Sequence, residues 1–80
     1  MKIHVEFWGV TRRLAGTDRC EVQVPESSTV LAALQALPVH AALAAELERC
    51  AFAVGTQLVP PAKALNDGDV VAVLPPVSGG

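Results

Sequence analysis

Five apolar residues in a row, Val70-Val71-Ala72-Val73-Leu74, run directly into Pro75-Pro76. A run this rich in β-branched side chains fits a central strand covered on both faces of a sheet. Proline has no N–H to give to a ladder, so the two prolines end that strand. The chain therefore divides into a folded unit over residues 1–74 and an extended tail over 75–80, Pro75-Pro76-Val77-Ser78-Gly79-Gly80. Asn66-Asp67-Gly68-Asp69, dense in turn formers, launches the strand.

A central strand needs partners, and the sequence upstream supplies them. Ile3, Val5 and Phe7 alternate with His4, Glu6 and Trp8, the period of a strand with one face on a core. Cys20 to Val24 alternates again, and Gly9 to Asp18 reads as a polar connection that makes the two a hairpin. Pro25 stops the second strand. Ser27, Ser28 and Thr29 then offer hydroxyl caps to a helix whose stripe reads Val30, Leu31, Leu34 and Leu37, and Pro38 ends it. Ala41 to Arg49, with Leu43 and Leu47 one turn apart, predicts a second, shorter helix. Ala51 to Val54 and Leu58-Val59 read as short strands around Gly55-Thr56, the latter ended by Pro60-Pro61. This order predicts an α+β fold in which a mixed sheet wraps over one main helix. Its expected core is Ile3, Val5, Phe7, Val22, Val24, Leu31, Leu34, Val71 and Val73.

The hydrophobic fraction of 51% is ample for a core, and 80 residues make one domain with little room for an internal active site. A formal net charge of −2 gives no attraction for nucleic acid or an anionic membrane surface. No apolar run approaches the roughly 18 residues a membrane span requires, and the first residues lack a signal-peptide layout. A cytoplasmic location is expected. Cys20 and Cys50 stand far apart with no Cys/His cluster, so two reduced, buried thiols and no metal site are expected.

Acid/base or nucleophilic catalysis needs convergent polar groups, and two histidines, no tyrosine and scattered carboxylates do not supply them. His4 and His40 read as solvated. The tail is the unusual feature. Two prolines stiffen its start, and Gly79-Gly80 ends it without a Cβ to obstruct passage through a narrow channel. Six residues reach at most roughly 20 Å, enough to carry a terminal carboxylate into another protein's active site. A carboxylate is a poor electrophile until activated, and adenylation would let a sulfur or nitrogen nucleophile attack the Gly80 carbonyl. Trp8, by strand parity, shares the polar face with His4 and Glu6, and with Leu58 and Leu74 it is expected to form an exposed apolar patch for partners.

The ending Leu74-Pro75-Pro76-Val77-Ser78-Gly79-Gly80 resembles that of the small subunit of molybdopterin synthase, among the ubiquitin-like β-grasp sulfur carriers. The likeness extends through Leu65-Asn66-Asp67-Gly68-Asp69-Val70-Val71, and more weakly through Phe7-Trp8 and Arg12-Arg13-Leu14-Ala15-Gly16. It departs at Gly55, where the family often has asparagine; both residues tolerate positive φ.

The resemblance implies a β-grasp domain with a flexible Gly-Gly tail that is not an enzyme alone. It implies that an ATP-dependent, E1-like enzyme adenylates Gly80 and that sulfur from a persulfide protein gives a thiocarboxylate. The large synthase subunit then receives Pro75, Pro76, Val77, Ser78 and Gly79, and the sulfur passes to cyclic pyranopterin monophosphate. Trp8, Leu58 and Leu74 would contact the partners. No cofactor would be bound, ATP being used by the activating enzyme. Carriers for thiamin or cysteine biosynthesis, and ubiquitin-like protein modifiers, share the fold and the ending and stand as alternatives.

Overall fold

The computed structural model describes residues 1–76. In chain order its elements are β1 (Lys2–Phe7), α1 (Val10–Ala15), β2 (Arg19–Gln23), α2 (Val30–Gln35), α3 (His40–Leu47), β3 (Ala51–Val54), β4 (Gln57–Val59) and β5 (Val70–Leu74). The strands make one sheet in the order β2-β1-β5-β3-β4. β1 and β5 run parallel, and the other three pairs are antiparallel. The last strand in sequence is thus the middle strand in space, held between the first strand and the β3–β4 hairpin.

Local chemistry explains the joints. Thr29 caps α2, its Oγ1 accepting from the Ala32 amide at 3.1 Å, which satisfies one of the amides a helix start leaves orphaned. The Val30 and Leu31 amides donate instead to the carbonyls of Lys63 and Pro61, both at 2.9 Å, so the 60–65 loop closes the same helix end. The Asn66–Asp69 turn clamps the start of β1. Asp67 Oδ1 accepts from the Lys2 amide at 2.7 Å, and the Gly68 amide donates to the Lys2 carbonyl at 2.8 Å. Gly55 takes a φ of 62° between β3 and β4, a conformation in which a Cβ would be strained.

One face of the sheet is the core. Ile3, Val5, Phe7, Val22, Val24, Val71 and Val73 are buried against Val30, Ala33, Leu34 and Leu37 of α2 and its C-terminal turn, with Leu43 of α3 and Phe52 completing it. Four expectations need correction. Leu31 is not core: it is 47% exposed, and the buried stripe runs Val30, Ala33, Leu34, Leu37. That spacing of three, four and seven is the true helical face; Leu31 lies about 100° from Val30 and drew attention only because leucine is more apolar than alanine.

The connection between the first two strands is not loop throughout. It contains α1, which packs against α3 and β1 and ends at Gly16 in the left-handed conformation, φ 75°. Finally, β5 is central but not covered on both faces, since Val71 and Val73 are inaccessible while Val70, Ala72 and Leu74 are half-buried. A run of valine, alanine and leucine fits either environment, so its composition does not decide between them. Cys20 and Cys50 are free and half-buried rather than fully interior.

Candidate functional site: the open sheet face and the root of the tail

The face opposite the core is largely exposed or half-buried, and its composition changes across the strands. One row can be followed through all five: Arg19 pairs with Glu6, Glu6 with Ala72, Ala72 with Ala53, and Ala53 with Leu58. On the β2–β1 side this face is ionic. Arg19 Nη1 lies 3.8 Å from Glu6 Oε2, and Glu21 lies 3.9 Å from Lys2 Nζ and 3.8 Å from His4 Nδ1. Such partly exposed pairs are worth at most about 1 kcal/mol each, so they set polarity rather than stability. On the β5–β3–β4 side the same face is apolar, with Ala51, Ala72, Val70 and Leu74 around the buried Ala53, and Leu58 standing 73% exposed at its edge.

Trp8 is 53% exposed and stands one residue past the Phe7–Val73 pair that ends the β1–β5 ladder. Trp8 and Leu74 each lie one residue past that pair, while Leu58 lies on β4, two strands from β5. The alanines between them are small enough to leave the surface continuous. Beside Trp8, a hollow of about 270 Å³ is lined by Arg12, Arg19, Asp18 and Glu6, which places cations next to the patch.

The chain turns sharply after Trp8. Thr11, completely buried, donates its hydroxyl to the Trp8 carbonyl at 2.6 Å and accepts from the Trp8 amide at 3.1 Å. Gly9, between them, adopts φ 56°, ψ −132°. A Cβ there would lie 3.1 Å from Pro75 Cγ, so the first residue of the tail sits against a bare backbone. Neither Gly9 nor Thr11 is singled out by the sequence reading. Their only signal is a glycine and a small hydroxyl residue just after a strand, in a segment read as loop.

Pro75 and Pro76 follow β5 outside any strand. Val77, Ser78, Gly79 and Gly80, the residues expected to carry the chemistry, lie outside the described residues. A hollow of about 500 Å³ opens on the helical side between α2 and α3, lined by apolar residues such as Leu31, Leu34, Leu47 and Phe52 together with His40, Glu48 and Cys50. The Cys50 thiol is pushed above its ordinary range by burial and secondarily by the Glu46 carboxylate, and it donates to the Glu46 carbonyl at 3.2 Å. Among the described residues, no three His, Cys, Asp or Glu side chains converge as metal ligands, and no helix is long and apolar enough to cross a membrane.

Comparison with known proteins places this arrangement. The model of the ThiS family matches residues 5–80. The chain belongs to the ThiS family. It is 34% identical to the molybdopterin synthase sulfur carrier subunit of Chlamydomonas reinhardtii over 83 aligned positions, covering all of both chains. Among solved structures, SAMP1 from Haloferax volcanii superposes with a TM-score of 0.90 at 26% identity, each chain covered completely. The complex of subunits 1 and 2 of the Helicobacter pylori molybdopterin-converting factor contains a chain matched at 30% identity and TM-score 0.69, again with full coverage. The fold is the β-grasp of ubiquitin-like sulfur carriers, as the sequence resemblance implies. This ThiS-family chain therefore has a relative that is a sulfur carrier subunit, and another that is part of a two-subunit complex.

Proposed function

We propose that this ThiS-family protein is a sulfur carrier for molybdenum cofactor biosynthesis and acts as the non-catalytic subunit of a sulfurtransferase. In this reading an ATP-dependent activating enzyme joins the Gly80 carboxylate to AMP with release of pyrophosphate. The terminal sulfur of a persulfide protein then displaces AMP to give an acyl disulfide, and a thiol attacking the persulfide protein's own sulfur in that bond releases the thiocarboxylate and is left in a disulfide. The large synthase subunit takes up residues 75–80, and the sulfur passes to cyclic pyranopterin monophosphate. Hydrolysis returns the carboxylate for another cycle. The protein binds no cofactor of its own and works in the cytoplasm.

The observation that carries this reading is the full-length similarity to a molybdopterin synthase sulfur carrier subunit in a chain that keeps the Pro-Pro-Val-Ser-Gly-Gly ending. The geometry supports it. The tail leaves from the middle strand beside an apolar surface, so a partner that docks on Trp8, Leu58 and Leu74 also fixes the starting point of the tail. The similarity to SAMP1 favours one second reading, a protein modifier joined to lysines through the same activated Gly80.

Intact mass spectrometry of the protein from its native host tests both. A mass increase equal to the exchange of one oxygen for sulfur is the expected result, whereas isopeptide adducts without any thiocarboxylate would favour the modifier. A variant extended by one alanine after Gly80 should form no adenylate; if it still supports molybdopterin synthesis, the terminal-carboxylate mechanism is wrong.

A further inference from the structure

The direction in which the tail leaves the sheet depends on how Pro75 is held. Proline has a fixed φ and no N–H, so Pro75 cannot be tied by a backbone ladder bond from its own nitrogen. Its ring must be placed by contact. The half-buried ring faces Gly9, where an added Cβ would stand 3.1 Å from Pro75 Cγ, closer than neighbouring atoms normally come. The turn that presents Gly9 is itself fixed. Thr11, without solvent exposure, satisfies both the amide and the carbonyl of Trp8, and the Arg12 amide donates to the Gly9 carbonyl at 3.1 Å.

Resting on the sulfur-carrier reading above, we propose that this β1–α1 turn is a seat for the tail root, with Gly9 and Thr11 as positioning residues that aim Gly80 at the activating enzyme. Because Pro76 follows, Pro75 is itself restricted to extended backbone, so the orientation set at Gly9 is carried into the next residue rather than lost in a free joint. A change in how Pro75 is seated would turn the start of Pro76, and with it the direction from which the rest of the tail sets out toward the activating enzyme.

Two properties of position 9 must be separated, its positive φ and its bare surface toward Pro75. Full-length protein can be assembled by ligation at Cys20 from a synthetic 1–19 segment, placing L-alanine or D-alanine at position 9. D-alanine favours positive φ and directs its methyl away from the place an L residue would occupy. Each protein is made with Pro75 and with Pro75→Ala. Melting is measured, and adenylation by the purified activating enzyme is followed as pyrophosphate release with kcat and KM resolved.

With Pro75 present, Gly9→Ala is expected to lower kcat about five- to tenfold at nearly unchanged KM, since the docking face is intact. The D-alanine protein should stay within about twofold of wild type, and the Gly9→Ala loss should shrink to within about twofold in the Pro75→Ala background. L- and D-alanine proteins adenylated alike, or a Gly9→Ala loss equally large without the Pro75 ring, would overturn the seat. Should Gly9→Ala not fold, Pro75→Ala alone decides: kcat must fall, and an unchanged kcat overturns the proposal. If wild-type protein is not adenylated at all, the sulfur-carrier reading fails instead. The seat is then judged by the melting temperatures alone, where additive effects of Gly9→Ala and Pro75→Ala refute it and a smaller Gly9→Ala effect without the ring supports it.

Discussion

Thr11 holds Trp8 from both sides, donating to its carbonyl at 2.6 Å and accepting from its amide at 3.1 Å. Among the described residues this hydroxyl belongs to the one buried polar side chain, and both its bonds go to the residue that opens the turn beside the tail. Thr11→Val keeps the shape and removes the bonds, leaving the Trp8 amide without its side-chain partner. A loss of about 1–3 kcal/mol in chemical denaturation is expected, with Thr11→Ser closer to wild type. Equal stability of the valine and threonine proteins would remove Thr11 from the support of this turn.

Two neighbouring leucines of α2 should respond in opposite ways. Leu34 is buried and Leu31 half-exposed, so Leu34→Ala is expected to cost about 2–5 kcal/mol and Leu31→Ala less than about 1 kcal/mol. Similar losses at the two positions would mean that the helix is rotated about its axis.

Phe7 is the largest side chain among those wholly inside the core. Phe7→Ala should cost about 3–5 kcal/mol, a large share of the stability of so small a domain. Denaturant titration showing a loss below about 1 kcal/mol would contradict its placement.

Trp8 lies at the root of the tail with more than half of its surface in solvent. A large exposed indole beside a flat apolar surface is the residue type most often found to dominate an interface. Trp8→Ala is therefore expected to weaken binding to the purified large subunit by about 2 kcal/mol or more while changing monomer stability less. Titration calorimetry alongside thermal melts measures both, and unchanged affinity would exclude Trp8 from the docking surface.

The Cys50 thiol gives a pH dependence whose sign is fixed. Its pKa in the folded protein is raised, by burial first and by Glu46 second. Between the ordinary thiol pKa of 9.0 and the raised folded value, the folded state therefore holds more protons than the unfolded state. Stability is full below that window and falls as pH rises through it. Cys50→Ala should flatten the alkaline fall in melting temperature, and an unchanged slope would assign the fall to other groups.

Much of this fold can be read from alternation alone, because Ile3, Val5 and Phe7 obey a period that only a one-sided strand requires. The Thr29 cap, the 66–69 turn and the exposure of Trp8 and Leu58 were legible for similar local reasons. What escaped the sequence has a different character. Helix α1 has six residues, no side-chain cap and no acidic first turn, so none of the usual start signals marks it. The helical face was misread by one position because alanine at 33 packs as well as leucine in a narrow gap. The seat of Gly9 against Pro75 was invisible because it joins positions 66 residues apart, 75 minus 9, through a side chain that is not there.

The strand that roots the tail is also the one that closes the sheet. β5 pairs with β1 on one side and β3 on the other, so β1–β2 and β3–β4 are two unconnected hairpins until it inserts between them. Its pairing with β1 bridges nearly the whole chain, the kind of long-range contact that forms late because loop closure must precede any gain from it. An incompletely folded molecule thus has neither a continuous docking surface nor a fixed origin for its last residues. Under the proposed function, an activating enzyme that read both at once would inspect the folded state of its substrate before consuming a nucleotide on it, with no separate quality-control step.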